Sequence, residues 1–318
     1  MLVWADQIEP CDPKWAWYPY LPQGMISLLA GRGGDCKGLI CASLAAAYTR
    51  GAPLPDGEAG QLGKVLWCEA EDPLNEVVIP RVIAAGAERT MLSFPDKGFS
   101  IRKLGALIKE HDLRLVVLSP FLSYLSVKNI RDEIEVRTAL DKIQDAIKGT
   151  NCALLGICHF NKNVDLGAVE RLLGSVAFVN FVRSVLLVAR DKDDSSCVRM
   201  MHAKHNLSVQ GRDMLVCSTE MPGHSRSQYV RIDWERADEN KDPNAMVGRD
   251  VEKGPKLSAA DWLESTLRSM GESSREMVIS WGKKAGYSES ALDKAIDRDT
   301  RFASRHEGFP RKAHWSLA

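Results

Sequence analysis

The chain has 318 residues, 45% of them apolar and 26% charged, enough for a sizeable core and about two domains. Its 42 Lys and Arg balance 42 Asp and Glu, which excludes a uniformly basic coat but leaves room for a local basic groove. No apolar run reaches the roughly 18 residues of a membrane span, and MLVWADQIEP lacks the order of a secretory signal. A soluble, cytoplasmic protein with no membrane contact is expected.

The stretch WADQIEPCDPKWAWYPYLP reads as an aromatic strap laid across a neighbouring subunit or near an adenine. From Met25 to Leu187, short apolar runs alternate with longer helical stretches. The runs MISLLA, KVLWCEA, RLVVLSP, CALLGICHF and SVLLVARD read as strands buried on both faces. Between them, LICASLAAAYTRG, LNEVVIPRVIAAG, IRKLGALIKEH and IRDEIEVRTALDKIQDAIKG read as amphipathic helices. This alternation predicts an α/β fold: a mainly parallel sheet with helices on both faces. After Arg190, CVRMMHAKH, DMLVCSTEM and QYVRIDW are expected to extend the sheet as antiparallel strands. The predicted domains are 1–235 and 257–318, with 236–256, polar and holding two prolines, as a linker. In the second, Ser258, Ser273 and Ser288 are placed to cap three helices, and RFASRHEGFPRKAHWSLA reads as a hairpin. That is the order of a winged helix, with Trp262, Trp281 and Trp315 as its small core.

Eight cysteines occur without a CxxC pair, several inside apolar runs. They suit buried free thiols better than disulfides or a zinc site.

The stretch Leu28-Leu29-Ala30-Gly31-Arg32-Gly33-Gly34-Asp35-Cys36-Lys37-Gly38-Leu39 follows a predicted strand and opens a predicted helix, the context of a phosphate loop. Backbone N–H groups converge on an anion there, glycines at 31, 33 and 34 permit the turn, and Lys37 reaches the outer phosphates. The alternative is a Gly-rich turn with no ligand. Cys36, at a helix N-terminus, is also placed for a lowered thiol pKa.

Ligands of open parallel sheets bind beyond the carboxyl ends of the strands. At those ends stand Glu69-Ala70-Glu71-Asp72, Ser119 and His159. The acids suit activation of a water or coordination of Mg²⁺, or alternatively form a solvated turn in which Asp72 caps a helix. His159 can sense a γ-phosphate or be satisfied by a neighbouring loop.

The order of these pieces resembles the RepA-like branch of RecA-fold P-loop ATPases, hexameric replicative helicases of plasmids and mobile elements related to the DnaB-type helicases. The resemblance runs from about Pro22 to Trp234, through LLAGRGGDCKG, VLWCEAEDP with RVIAAG, LRLVVLSP, ICHFNK, GSVAFVNFVRSVLLVARD and AKHNLS. It implies ATP bound by Gly31, Gly33, Gly34, Asp35, Cys36, Lys37 and Gly38. It makes Glu69 or Glu71 the water-activating carboxylate and His159 the γ-phosphate sensor. Arg183 and Lys204 become cations inserted into a neighbouring subunit's site. Ser119 and Glu71 would attend Mg²⁺. The family pattern expects Gly at 36, Ser or Thr at 38 and Asp at 119, so both magnesium-holding positions depart from it here. The expected function is a ring-forming ATPase acting on single-stranded DNA in replication of a plasmid, phage or mobile element. The alternative is a degenerate pseudo-ATPase that binds DNA or recruits partners. Ser126–Arg131 and Asn161–Arg171 are the candidate DNA loops. In the tail, Arg301, Arg305, Arg311 and Lys312 face one acid, Glu307, so it docks either DNA or other replication proteins.

Overall fold

The computed structural model describes residues 2–96, 99–130, 132–160, 167–169, 171, 176–194, 196–221, 229–247, 258–284, 287–307 and 312–318. It divides into two compact units, Met1–Arg249 and Asp250–Ala318.

In the first unit a short antiparallel pair, β1 (Trp15–Trp17) and β2 (Leu21–Pro22), precedes β3 (Ile26–Gly31) and α1 (Lys37–Arg50). There follow β4 (Lys64–Glu69), α2 (Ile79–Ala84), β5 (Leu92–Ser93), α3 (Leu104–His111), β6 (Leu113–Ser119), α4 (Glu133–Ile147), β7 (Ala153–His159), α5 (Val176–Phe181) and β8 (Ser184–Arg190). Then come β9 (Cys197–His205), β10 (Met214–Glu220), β11 (Val230–Arg236) and α6 (Pro243–Val247). One nine-stranded sheet runs β11-β10-β9-β8-β3-β7-β6-β4-β5. From β8 to β5 every neighbouring pair is parallel; β9, β10 and β11 add on antiparallel, as the sequence predicts. β3 lies between β7 and β8, and such a reversal of strand order opens a crevice at the strands' carboxyl ends.

Side chains alternate across a strand, so adjacent apolar residues feed opposite layers. Leu29, Val117, Leu155 and Leu186 pack with Ile40, Leu44 and Tyr48 of α1 and Val82 of α2. Their neighbours Leu28, Val116, Leu154 and Leu187 pack with Leu104 of α3, Leu140 and Ile143 of α4 and Phe178 of α5. α1 is buried nearly all round because Trp234 of β11 covers its outer side, donating from Nε1 to Ser43 Oγ at 2.9 Å. Gly51, at φ 61°, closes α1 in the left-handed conformation that glycine tolerates best.

Three expectations are corrected here. The aromatic strap packs on its own chain over its second half: Trp17 and Tyr20 are buried, Tyr48 Oη donates to Ala16 O and Tyr20 Oη to Arg212 O, each at 2.6 Å, while Trp4 and Tyr18 stay exposed. Such large rings bury more apolar area on this sheet than any exposed position would allow. The linker is not free over its first half. Asn240 and Lys241 hydrogen-bond to Gly211 and Asp213, Arg199 donates to Glu239 O, and Val247 is buried with its carbonyl accepting from Arg171. Residues 248–257 lie outside the described ones. Cys197 and Cys217 oppose each other on β9 and β10 and form a disulfide, whereas Cys41, Cys68, Cys152 and Cys158 are buried free thiols.

The second unit holds α7 (Ala259–Met270), β12 (Ser273–Ser274), α8 (Arg275–Lys284), α9 (Glu289–Arg298), β13 (Phe302–Glu307) and β14 (Lys312–Leu317), with a sheet ordered β12-β14-β13. Leu263, Leu267, Val278, Leu292, Phe302 and Trp315 form its core, with Trp262 and Trp281 packed against it. Ser258 and Ser288 cap α7 and α9. Ser273 does not cap a helix; it pairs with Trp315 in the sheet. The tail's cations also have more acids than their local sequence shows. Arg301 reaches Asp261, Glu264 and Asp299, and Arg305 reaches Glu272. Arg311 lies outside the described residues.

Candidate functional site

β3 is buried throughout and delivers the chain into the loop at its carboxyl end. Gly31 is required by close packing, since a Cβ there would stand 2.7 Å from Val188 O of β8. Gly34 has φ 85° and Cys36 φ 56°. Left-handed residues at 34 and 36 flanking Asp35 are the backbone pattern of an anion nest at the start of α1, with the Asp35 N–H itself bonded to Arg32 O at 3.3 Å. Cys36 thus occupies a conformation that costs an L-residue about 1–2 kcal/mol.

The loop is braced from within. Asp35 Oδ2 accepts from the Arg32 N–H at 2.8 Å, and burial raises the Asp35 carboxyl above its ordinary range despite that bond. Lys37 is 6% exposed, and its Nζ donates to Gly31 O at 3.0 Å and Arg32 O at 2.6 Å. Burial lowers the Lys37 ammonium, opposed by the nearby Asp35. An incoming phosphate would meet its remaining donor and relieve that desolvation. Burial likewise pushes the Cys36 thiol up, opposed by the charge of Arg190.

The ends of β4, β6 and β7 converge on the same place. A cavity of about 390 Å³ is lined by loop residues 34–38, by Glu69, Glu71 and Asp72, by Ser119 and by His159. Gly31 and Gly33 do not line the cavity. His159 pairs in register with Gly31. Its ring is kept toward the neutral form by burial and by Lys37, opposed by Glu71 and by a hydrogen bond with the Gly31 backbone.

The two glutamates differ. Glu69 Oε1 accepts from the N–H groups of Ala70, Glu71 and Asp72 at 3.1–3.3 Å, and Oε2 accepts from Trp67 Nε1 at 3.3 Å. It folds the turn that carries the other acids, and its lone pairs are engaged. Glu71 is exposed and lines the cavity.

Arg183 and Lys204 are not brought to this cavity. Both sit at the amino end of β8, where Lys204 pairs with Val185, and Arg183 lines a different cavity with Lys14 and Asp141. Each raises the positive potential at the other, and burial with Arg183 lowers the Lys204 ammonium. Of the DNA-loop candidates, Lys128 and Asn129 donate backbone N–H groups to Glu135. Arg131 and residues 161–166 and 170 lie outside the described ones.

An AAA-domain family model matches residues 2–165. The chain belongs to the AAA-domain family. The matched span of the AAA domain holds the loop, Glu69–Asp72, Ser119 and His159, and stops before Arg183 and Lys204. Comparison with curated proteins finds no match. The domain is of the P-loop, nucleotide-binding ATPase type, and the nest with Lys37 fits a nucleotide's phosphates.

Magnesium fits less well. Position 38 offers no hydroxyl, Ser119 offers no charge, and Glu69 is engaged by the backbone. Among the described residues, no group of three or more His, Cys, Asp and Glu could hold a metal ion. Sequence reasoning missed two cations here. Arg190 ends β8, so the strand-end rule pointed to it; its charge acts on both Asp35 and Cys36. Arg81, inside the helical RVIAAG stretch, lines the cavity itself, and only the missing side chain at Gly38 hints at it. No helix among the described residues is long and apolar enough to cross a membrane.

Proposed function

We propose that this chain is a nucleotide-binding member of the RepA-like branch, a ring-forming RecA-fold ATPase acting on single-stranded DNA. One observation carries the reading: the anion nest, Lys37, Glu71 and His159 face a single cavity at the carboxyl ends of β3, β4 and β7. In this reading the loop N–H groups and Lys37 hold the phosphates, and Glu71 takes the proton of the attacking water. His159, neutral and bonded to Gly31, reports the γ-phosphate state to the chain that follows β7. Magnesium, when bound, would neutralise phosphate charge. Arg183 and Lys204 serve in trans, and their distance from their own site suits that role because a neighbouring subunit's site is what they would reach. The second unit serves as a winged-helix-like partner or DNA module. Its α9 is acidic, and Arg301 is already neutralised by three carboxylates, which favours protein docking over base reading.

A second reading has its own support. Gly38, Ser119 and the engaged Glu69 favour a pseudo-ATPase that binds nucleotide and recruits partners without turnover. Calorimetric titration with ATPγS, with Lys37→Ala as control, tests the first part of both readings. Binding that disappears in the control is expected. Absence of binding up to millimolar ligand overturns the nucleotide reading. ATP turnover stimulated by single-stranded DNA then supports the motor, and its absence the pseudo-ATPase.

A further inference from the structure

We propose that Arg81 supplies from within the chain the positive charge that a divalent cation supplies at other phosphate loops, so that a polyphosphate binds here without metal. The inference rests on the nucleotide reading above and deepens it.

Four observations meet at one point. First, a Cβ built on Gly38 would stand 2.8 Å from Arg81 Nη1, with nothing else but Arg81 near it. The guanidinium therefore fills the volume of the hydroxyl-bearing side chain that the family pattern expects at 38. Second, Arg81 is anchored there. Asp72 Oδ2 accepts from its Nη1 at 2.9 Å, and the side chain is only 24% exposed. Asp72 engages one nitrogen of the fork, and Arg81 lines the cavity shared with Lys37. Third, the backbone delivers it. A π-helical turn over Leu74–Val78 leads into α2, whose Val82 packs into the core with α1, so α2 is held against the start of α1. Fourth, two of the positions that would keep a cation beside a β- or γ-phosphate are weakened, with Ser119 uncharged and Glu69 engaged by backbone N–H groups, which leaves Glu71 as the exposed carboxylate of the lining.

The chemistry is self-consistent. A guanidinium makes paired, charge-assisted hydrogen bonds to phosphate oxygens and never loses its proton in this range. A serine at 38 would make the guanidinium leave its present position, because a Cβ there would stand 2.8 Å from Arg81 Nη1. The glycine at 38 and the arginine at 81 are thus two halves of one substitution of a metal by a side chain.

The test is titration of ATPγS in EDTA and, separately, in excess Mg²⁺, on the wild type, Arg81→Gln, and the double variant Gly38→Ser/Arg81→Ala. The wild type is expected to bind with the same affinity, within about twofold, in both conditions. Arg81→Gln is expected to lose about 10- to 100-fold in EDTA, the range for one charge-assisted contact. The double variant, with a hydroxyl in the vacated space, is expected to bind only with Mg²⁺. Thermal unfolding midpoints near the wild type's show that each variant is folded; Arg81→Lys, which keeps charge without the fork, should recover only part of the affinity. Wild-type binding that requires Mg²⁺, or undiminished binding by Arg81→Gln in EDTA, overturns the inference and leaves the nucleotide reading standing. No binding in either condition overturns both.

Discussion

His202 should make the stability of the first unit pH-dependent, and the structure sets the size of the effect. The ring is 1% exposed on β9. Its Nδ1 accepts from the Gly211 N–H at 3.1 Å. Its Nε2 lies 3.1 Å from Ser184 Oγ, whose own proton goes to Tyr20 O at 2.6 Å. The ring is therefore neutral, protonated at Nε2, and a second proton would have to displace the Gly211 N–H. Burial, aided by the charge of His205 and opposed by the Lys204 backbone, lowers its pKa from 6.5 to about 4. The unfolded chain takes up a proton near pH 6.5 that the folded chain refuses until about pH 4. The stabilisation is complete above 6.5 and is lost as pH falls through that window, up to roughly 3 kcal/mol in all and about 1 kcal/mol between pH 7 and 5.5. Urea unfolding at both pH values reads it, with His202→Asn as the reference because Asn can still accept from Gly211. Wild type minus variant should shrink by about 1 kcal/mol at pH 5.5. A difference that does not change with pH would refute the reasoning.

Other outcomes follow from the same geometry. Glu69→Ala removes the acceptor of the Glu71 and Asp72 N–H groups, while Ala70 keeps Ser119 O at 2.8 Å, and should cost about 1–3 kcal/mol in a denaturant titration, whereas Glu71→Gln should move stability by less than about 0.5 kcal/mol and abolish any ATP turnover. Cys36→Gly should be neutral or stabilising by up to about 1 kcal/mol, and Cys36→Val destabilising, because φ 56° is strained for a branched side chain. Mass spectrometry after alkylation of the unfolded, unreduced chain should find six modified cysteines and two more after reduction. Midpoints in urea should fall with reductant by up to about 3 kcal/mol equivalent, the loop-closure effect of a 20-residue separation; eight accessible thiols without reductant would refute the Cys197–Cys217 pairing.

Most of the fold was legible because its code is local. Apolar runs such as RLVVLSP are strands buried on both faces, spaced by helices with 3.6-residue periodicity, and both periods are set by backbone geometry. The phosphate loop was legible for the same reason: three glycines and Lys37 lie within a few residues of each other between a strand and a helix. The strand-end rule then located Glu71, Ser119 and His159 once the sheet was parallel.

What the sequence alone could not decide concerns pairs that meet only when the sheet is assembled. Glu69 and Glu71 are separated by a turn that aims the N–H groups of residues 70–72 at Glu69 and is pinned across the sheet by the Ala70 N–H on Ser119 O at 2.8 Å. Tyr20 meets Arg212 across 192 residues, which turned the second half of the expected aromatic strap into core. Cys197 and Cys217 become partners through the register of β9 with β10, and Arg81 meets Gly38 through the packing of α2 beside α1. Local periodicity specifies which face a side chain takes, but the identity of its partner depends on strand order and register, which are set by the packing of the whole sheet.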